Sequence, residues 1–339
     1  MHTITGTQSV TQTYSPNIMA TIGKTPLVHL SRLGKEWDFT VYGKMEGFNP
    51  GGSIKDRTAI NMLLEAMEKG EVHHGDTIIE SSSGNMALGL AQVCKFYKLQ
   101  LIVVIDPKVN LHTEKILEVY GVKLVKVTHP QPEGGYLESR ILKVKELLKQ
   151  YPNSHSLNQY ENAANPQTHY ETMSEIAHAL NKKIDYVFIS TSTCGTLMGC
   201  AKYIYENRLA TKIIAVDAKG SVTFGQKEST RLIPGHGSGK ASHFLDDSFI
   251  HDIMHVSDEA CITGCWNLLE QEAILCGGSS GAVVSAIEKY APFIPAGASC
   301  VAILCDRGDR YLETVYNKTW VHKHFPYFNF PQKETVSNT

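Results

Sequence analysis

The residues Leu101-Ile102-Val103-Val104-Ile105-Asp106 form a continuous apolar run that ends in a carboxylate. A short apolar run with many β-branched residues and no alternation is typical of a strand buried on both faces of a parallel sheet. Similar runs recur along the chain and are separated by segments with helical periodicity. This alternation of strands and helices predicts an α/β fold in which helices cover mainly parallel sheets.

The predicted elements extend over most of the chain. Strands are predicted at 77–80, 101–106, 123–127, 185–189, 212–217 and 299–304, and helices at 87–93, 114–120, 136–149, 196–207, 264–272 and 281–290. Gly121 follows the second of these helices at a position where glycine commonly ends a helix. Sheets of this kind bind ligands at the carboxyl ends of their strands, in the loops that begin the next helices. We therefore expect the functional residues in those loops.

Composition narrows the class of protein. The chain has 339 residues, of which 42% are apolar and 19% charged, and a net charge of −2. It has no long basic run and no apolar run of membrane-spanning length, so we expect neither nucleic acid nor membrane as a partner. Residues 1–7 lack the features of a secretory signal, which predicts a cytoplasmic protein. The eight cysteines form no Cys-x-x-Cys pair, which predicts reduced core residues and no metal site.

A lysine is placed at the start of a predicted helix in Asn49-Pro50-Gly51-Gly52-Ser53-Ile54-Lys55-Asp56-Arg57. Ser53 and Asp56 have the Ser-x-x-Asp spacing of a capping box, which predicts that Ser53 caps the helix and that Lys55 lies in its first turn. The positive end of a helix lowers the pKa of an amine. A lowered pKa suits a lysine that acts as a nucleophile or forms a Schiff base. The alternative is a surface lysine beside a helix cap.

Two further loops are rich in small hydroxyl residues. In Ser81-Ser82-Ser83-Gly84-Asn85-Met86, the hydroxyls and the freed N–H groups favour a carboxylate or phosphate site, or else Ser82 or Ser83 simply caps the helix. The loop Ser190-Thr191-Ser192-Thr193-Cys194-Gly195-Thr196 has more hydroxyls than a cap requires and predicts a cradle for one phosphate. It matches neither a P-loop nor a dinucleotide fingerprint.

The remaining two loops are 276–281, which is rich in glycine and serine, and 306–311, which is rich in charged residues. Charged loops of the second kind usually form surface salt bridges. An activated lysine, a phosphate cradle and a carboxylate loop together indicate pyridoxal phosphate with an amino-acid substrate. That cofactor requires a Schiff-base lysine, a phosphate anchor and a partner for its pyridine nitrogen.

These motifs, in this order, resemble the cysteine synthase/cystathionine β-synthase family of fold-type II pyridoxal-phosphate enzymes. The resemblance runs from Thr21-Ile22-Gly23-Lys24-Thr25-Pro26-Leu27-Val28 to Gly308-Asp309-Arg310-Tyr311-Leu312. It implies two open, twisted, mainly parallel sheets with the active site between two domains. The smaller domain would comprise 48–160, and the larger, phosphate-binding domain would comprise 10–47 plus 161–325, followed by a tail at 326–339. It also implies a homodimer that acts on small amino-acid substrates.

The resemblance assigns roles to individual residues. Lys55 would be the Schiff-base lysine, Asn85 would contact the ring hydroxyl of the cofactor, and Ser279 would face its pyridine nitrogen. The cofactor phosphate would be held by Ser192, Thr193, Cys194, Gly195 and Thr196. The α-carboxylate of the substrate would bind to Ser82, Ser83 and Gln159.

Three departures from the cysteine synthase pattern carry finer information. Met86 stands where cysteine synthases have a hydroxyl residue, which changes how the substrate sits. The phosphate loop reads Ser-Thr-Cys-Gly-Thr at 192–196 instead of the more glycine-rich Gly-Thr-Gly-Gly-Thr. Segment 134–140 departs from the small-residue helix expected there and ends in Arg140. This arginine either offers bidentate recognition of an extra carboxylate or is a solvated helix arginine.

These departures, with segments 217–222 and 306–311, resemble the branch of the family that makes N-(2-amino-2-carboxyethyl)-L-glutamate. That branch condenses O-phospho-L-serine with L-glutamate to supply diaminopropionate for the siderophore staphyloferrin B. Glutamate brings two carboxylates, for which Arg140 and Tyr160 are the candidate partners. The alternatives are a cysteine synthase that joins sulfide to O-acetyl- or O-phospho-L-serine, and a catalytically silent binding protein on the same scaffold.

Overall fold

Ten strands form two sheets in residues 14–331, the part of the chain that the computed structural model describes. The parts of the domain and tail predictions that fall on 10–13 and 332–339 lie outside the described residues. The strands are β1 (Leu27–His29), β2 (Thr40–Met45), β3 (Thr77–Ser81), β4 (Gln100–Ile105), β5 (Lys123–Lys126), β6 (Ser154–His155), β7 (Tyr186–Ser190), β8 (Lys212–Ala218), β9 (Asp252–Val256) and β10 (Ser299–Leu304).

Helices connect most of the strands. They are α1 (Lys55–Glu68), α2 (Asn85–Phe96), α3 (Leu111–Val119), α4 (Gly135–Gln150), α5 (Ala164–Ala179), α6 (Gly195–Glu206), α7 (Asp258–Glu272), α8 (Gly278–Tyr290) and α9 (Lys318–His324). None of these helices, all within the described residues, is long and apolar enough to cross a bilayer.

The six-stranded sheet has the order β1-β2-β10-β7-β8-β9, and only the β1–β2 pair is antiparallel. Alternate residues of β10 enter different cores. Cys300, Ala302 and Leu304 pack in a cluster with α7 and α8, whereas Val301 and Ile303 pack in a cluster with α5 and α6. Helices therefore cover both faces, as the sequence predicted.

The four-stranded sheet has the order β5-β4-β3-β6 and is parallel throughout. The apolar run that predicted a buried strand forms β4, one residue earlier than expected. Leu101, Val103 and Ile105 pack with α1, α2 and α3, and Ile102 and Val104 pack with α4. The prediction of an α/β fold with two mainly parallel sheets is confirmed.

The sequence analysis did not predict six of the elements. These are strands β1, β2, β6 and β9 and helices α5 and α9. Helix α5 lacks a clear apolar stripe because buried polar residues, among them Asn165, His169 and Thr172, occupy positions on its inner face. Strand β2 carries the buried Lys44 and a glycine, so it does not read as an apolar run.

The start of the tail packs on the core. Phe330 makes an edge contact with Trp266 of α7 (ring centroids 5.0 Å apart), and Phe328 contacts Phe330 at 4.9 Å. Phe328 is buried and belongs to the cluster around α7 and α8. The tail is therefore docked on the core as far as residue 331.

Candidate active site

Lys55 is the first residue of α1 and so lies in the first helical turn, as predicted. The predicted capping box is wrong, because the N-cap residue of α1 is Ile54, which makes no side-chain cap. Ser53 Oγ accepts a hydrogen bond from Lys55 N (3.2 Å), and Asp56 Oδ2 accepts from Gly51 N (2.6 Å) and does not return to Ser53. Gly52 adopts a φ of 86°, and the turn it makes brings the Gly51 N–H to the Asp56 carboxylate. Asp56 thus fixes the loop that precedes the lysine.

The Lys55 amine lies within electrostatic range of groups from two other loops. These are Cys305 and Asp306, which follow β10, and Cys194, which precedes α6. Burial lowers the pKa of the Lys55 amine below its ordinary value, although these neighbours oppose the change. Within residues 14–331, the amine makes no hydrogen bond or ion pair. It is therefore available to react with a carbonyl group.

Four charged side chains, of which Lys44, Glu46 and Arg57 are buried and Glu175 is partly exposed, hold the start of α1 in place. Arg57 donates to both oxygens of Glu46 (2.8 and 2.9 Å) and to both oxygens of Glu175 (2.7 Å each). Lys44 Nζ donates to Glu175 Oε2 at 2.5 Å. Each charge is paired, which buried charges require. Burial alone would raise the pKa of Glu175, but its bonds to Arg57 and Lys44 outweigh burial and lower the pKa to about 2.

The loop between β3 and α2 carries the two serines expected to bind a carboxylate. Ser82 Oγ accepts hydrogen bonds from Gly84 N (3.3 Å) and Ala87 N (3.2 Å), so this hydroxyl helps to cap α2. Ser83 Oγ instead accepts from Arg140 Nη1 at 3.2 Å and lies 3.3 Å from Asp106 Oδ2. Of these two serines, only Ser83 therefore contacts side chains from other elements, those of Arg140 and Asp106.

Arg140 of α4 reaches this loop and is not a solvated helix arginine. Its side chain is only 13% exposed, and Nε lies 3.1 Å from Asp106 Oδ2. The Nε–H is not aligned for a hydrogen bond, so this contact is an ion pair. Burial raises the pKa of the nearby Glu80 to about 7, although two backbone N–H groups and Arg140 oppose the rise. Asp106 and Glu80 are thus the carboxyl groups near Arg140.

The other predicted substrate residues occupy two different environments. Gln159 and Tyr160 lie in the loop before α5, and Arg140 and Glu80 act electrostatically on the buried Tyr160 hydroxyl, whose pKa burial raises. Met86, by contrast, is 2% exposed and belongs to the apolar cluster of α1, α2 and β4. The side chain of Met86 is therefore part of the core, and its influence on the substrate stays a prediction.

The predicted phosphate loop leads from β7 into α6. Thr193 Oγ1 accepts from Gly195 N at 3.4 Å, and Gly195 begins the helix. Cys194 is buried and has a φ of 63°, in the left-handed region. The hydroxyls of Ser192 and Thr196 make no hydrogen bond within the described part of the chain. Free hydroxyls at a helix N-terminus are suited to hold a phosphate.

Asn165, which sequence reasoning missed, connects three parts of the site. Its Nδ2 donates to Gln159 O (2.6 Å) and to Thr193 Oγ1 (3.2 Å), and its Oδ1 lies 3.5 Å from Thr58 Oγ1 of α1. The residue is 1% exposed. The signal available in the sequence was an asparagine seven residues after Asn158, in a segment whose helix was not recognised.

Ser279 lies in the first turn of α8, whose position is set by a close helix contact. A β-carbon on Gly281 would stand 2.1 Å from Cys261 O, and one on Gly264 would stand 2.0 Å from Gly281 O. Both glycines are therefore needed for α7 and α8 to approach. Ser280, beside Ser279, accepts a hydrogen bond from Cys305 N at 2.9 Å and ties the helix to the end of β10.

The charged loop after β10 is buried, which corrects the expectation of surface salt bridges. Asp306 and Arg310 are 3% and 7% exposed. Asp306 Oδ2 accepts from Asn85 Nδ2 (2.7 Å) and from the Tyr311 hydroxyl (2.6 Å). Arg310 donates to Asn85 Oδ1 and to Gly51 O. This loop therefore contacts both the start of α2 and the loop that precedes Lys55.

A cavity of about 210 Å³ opens beside the phosphate loop. Its lining includes Ser192 and Thr193 of that loop, Tyr160 and Glu161 of the loop before α5, and a segment around Lys240 and His243. The predicted phosphate loop and the loop before α5 therefore face one space.

Comparison with known proteins decides the family. Residues 18–306 match the family described as pyridoxal-phosphate dependent enzyme. The chain belongs to this family. Its members depend on pyridoxal phosphate, so the chain is a pyridoxal-phosphate-dependent enzyme.

Solved structures of similar sequence share this fold. O-ureido-L-serine synthase is 32% identical, with a TM-score of 0.84 over 90% of this chain and 96% of that one. An O-acetylserine-dependent cystathionine β-synthase from Helicobacter pylori is 29% identical, with a TM-score of 0.83 over 90% and 100% of the two chains. A hydrogen sulfide-producing enzyme from Fusobacterium nucleatum is 30% identical, with a TM-score of 0.83 over 88% and 100%.

The residues present fit the cofactor of this family. The Lys55 amine has no partner among residues 14–331 and a lowered pKa, as Schiff-base formation requires. The hydroxyls of Ser192 and Thr196, with the N-terminus of α6, offer donors to a phosphate. A neutral serine, Ser279, lies at the N-terminus of α8 and offers a hydroxyl to a ring nitrogen.

Proposed function

We propose that the protein joins O-phospho-L-serine and L-glutamate to give N-(2-amino-2-carboxyethyl)-L-glutamate and phosphate, in the supply of diaminopropionate for a siderophore. The observation that carries the proposal is the contact between Arg140 Nη1 and Ser83 Oγ (3.2 Å). It sets a guanidinium beside the loop expected to hold the substrate carboxylate. Sulfide would need no such group, whereas glutamate adds two carboxylates.

The charges around Arg140 leave it able to bind an anion. Asp106 meets it through Nε, and Nη2 makes no hydrogen bond within residues 14–331. Because the pKa of Glu80 is about 7, a large fraction of that carboxyl is neutral near neutral pH and does not fully offset the guanidinium. One face of a rigid, five-donor fork is thus available for a carboxylate.

In this proposal each side chain of the site has a separate role. Bound pyridoxal phosphate supplies an electron sink that stabilises negative charge at the α-carbon of an amino acid. Ser82, Ser83 and Gln159 hold the α-carboxylate of phosphoserine and so orient its α C–H bond. The neutral Lys55 amine takes the α-proton and later returns it. Ser279 offers a neutral hydroxyl, which leaves the pyridine nitrogen largely unprotonated and favours β-elimination over transamination.

The bond changes balance without any further reactant. The bond between the β-carbon and the ester oxygen of phosphoserine breaks, and phosphate leaves with the electron pair. The amine nitrogen of glutamate forms the new bond to the β-carbon and loses one proton. Arg140 and Tyr160 bind glutamate carboxylates in this step, so they affect the second substrate more than the first.

Substitution of Arg140 tests the proposal. Arg140→Met should raise the KM for glutamate by about 10- to 100-fold, the range expected for a lost hydrogen bond to a charged group. The KM of Arg140→Lys for glutamate should lie between the values of Arg140→Met and the wild type. The matched control is Lys143→Met on the same helix, whose amine pairs with Glu146 at the surface. An unchanged KM for glutamate in Arg140→Met would remove Arg140 from this role.

A cysteine synthase is the second candidate. It is favoured by the similarity to an O-acetylserine-dependent enzyme and to a hydrogen sulfide-producing enzyme. Crossing O-phospho- and O-acetyl-L-serine with glutamate and sulfide separates the two functions, because the mass of the amino-acid product identifies the nucleophile and the ester that reacts identifies the donor. Cysteine formed from sulfide and O-acetyl-L-serine, with no glutamate adduct, would establish this candidate.

We also propose a cytoplasmic homodimer, as the family resemblance implies. Light scattering of the purified protein gives the mass of the assembly. A mass equal to one chain of 37.5 kDa would contradict the dimer.

A further inference from the structure

Asn85 is held from both ends of its side-chain amide. Arg310 Nη1 donates to Oδ1, and Nδ2 donates to Asp306 Oδ2 at 2.7 Å. A guanidinium carries only donors, so the amide atom that faces it must be the oxygen. The orientation of the Asn85 amide, which is ambiguous for an isolated asparagine, is therefore determined by its two partners.

Asp306 accepts from Asn85 in either of its protonation states. The Tyr311 hydroxyl also donates to Oδ2 (2.6 Å), whereas Oδ1 has no hydrogen-bond partner within the described residues. Burial raises the pKa of Asp306, and a bound proton would lie on the free Oδ1. Burial also raises the pKa of Tyr311 well above its ordinary value, so the phenol stays protonated and donates. Oδ2 is thus always an acceptor for the Asn85 amide.

This arrangement leaves Asn85 with one N–H that makes no hydrogen bond within residues 14–331. The amide nitrogen has two hydrogens, and Asp306 takes one of them. The amide oxygen faces a positive charge, which repels a second donor and polarises the amide so that its N–H donates more strongly. Asn85 therefore offers a donor, rather than an acceptor, to a ligand at the start of α2.

We propose that Arg310 and Asp306 are positioning residues that make Asn85 a hydrogen-bond donor to the ring oxygen of the cofactor and so keep that oxygen deprotonated. The inference rests on the assignment of Asn85 to the ring oxygen. Arg310 acts in two ways, through the orientation of the amide and through its own positive charge. It also binds Gly51 O, so the same side chain fixes the loop before Lys55.

The absorbance spectrum of the holoenzyme tests the inference without any substrate, because the protonated and deprotonated forms of the ring oxygen absorb in separate bands. The wild type should show mainly the deprotonated form at neutral pH. Arg310→Met and the near-isosteric Asn85→Asp should move the ratio of the two bands toward the protonated form by about tenfold or more, as loss of one charge-assisted hydrogen bond predicts. Arg310→Lys, which keeps the charge, should show a smaller shift.

The matched control is Arg307→Met. Arg307 is exposed, and its side chain lies against Gly47 and Gly52 and not against Asn85. An equal shift in Arg307→Met, or an unchanged band ratio in both Arg310→Met and Asn85→Asp, would overturn the inference. If Arg310→Met does not fold, the band ratios of Asn85→Asp and Arg310→Lys test the inference in its place.

One further variant separates this inference from the assignment beneath it. An unchanged band ratio in Asn85→Ala would show that Asn85 does not meet the ring oxygen, and the inference would fall with that assignment. If the band ratio changes in Asn85→Ala but not in Arg310→Met, Asn85 still meets the ring oxygen, and only the role of Arg310 is contradicted. Neither result depends on phosphoserine or glutamate, so the reaction proposed above is tested separately.

Discussion

Asn165 Oδ1 lies 2.2 Å from the point at which a β-carbon on Gly195 would stand. The asparagine of α5 therefore occupies the space that a side chain at the first residue of α6 would need. This contact explains why a glycine stands at that point of the phosphate loop. It also connects the loop to α1 and to Gln159, because the same amide reaches both.

Gly195→Ala should destabilise the protein by about 1–3 kcal/mol, the cost of inserting a methyl group into a packed site, and should weaken cofactor binding. Asn165→Ala should also destabilise, by about 1–3 kcal/mol, because it leaves buried polar groups unpaired. The double variant should be no less stable than Asn165→Ala alone, since the clash is then absent. Urea unfolding of the wild type, the two single variants and the double variant gives the coupling free energy between the two residues. Additive losses would show that the two residues do not compete for space.

Lys55→Ala should lower kcat by at least about a thousandfold, because it removes the group that forms the Schiff base and moves the α-proton. Lys69→Ala is the control, since Lys69 lies at the other end of the same helix and pairs with Glu65 at the surface. Borohydride reduction of the wild type, followed by peptide mass analysis, should attach the cofactor to the peptide that contains Lys55. Attachment to another lysine would refute the assignment.

The lowered pKa of Lys55 predicts how the apoprotein captures its cofactor. Only the neutral amine attacks the aldehyde, so the rate of capture should rise with pH and level off below pH 10.5, the ordinary pKa of a lysine. Stopped-flow absorbance measures this rate. A rate that still rises in proportion to hydroxide up to pH 10.5 would indicate an unperturbed lysine.

The Arg57–Glu175 ion pair predicts a loss of stability in acid. Because the folded pKa of Glu175 is about 2 and its ordinary value is 4.5, the folded protein binds this proton less readily than the unfolded chain. The stabilisation is present above pH 4.5 and is lost as the pH falls toward 2, by about 3 kcal/mol in all. Glu175→Gln should remove this part of the pH dependence. Unfolding free energies that fall equally in both proteins would place the effect elsewhere.

The sequence predicted the sheets and loops well where one local pattern determines them. The apolar run 101–106 and the strand at 299–304 are buried on both faces, so composition alone marks them. The family resemblance supplied the fold type and the cofactor, which the comparisons confirm.

The parts that were missed depend on partners distant in sequence. Asn165 and Glu175 lie on a helix whose inner face is polar, and each is satisfied by residues of other elements. Arg310 looked like a surface charge because its partners, Asn85 and Gly51, are more than 200 residues away. The burial of the Met86 side chain in an apolar cluster was likewise not evident from its position in a motif.

The most direct test of the proposed reaction is phosphate release from O-phospho-L-serine, measured with and without L-glutamate and combined with mass analysis of the product. We expect phosphate release that depends on glutamate. We also expect a product whose mass equals that of glutamate plus serine minus one water. Release that is indifferent to glutamate, or a product formed only with sulfide, would contradict the proposal and return the protein to the cysteine synthases.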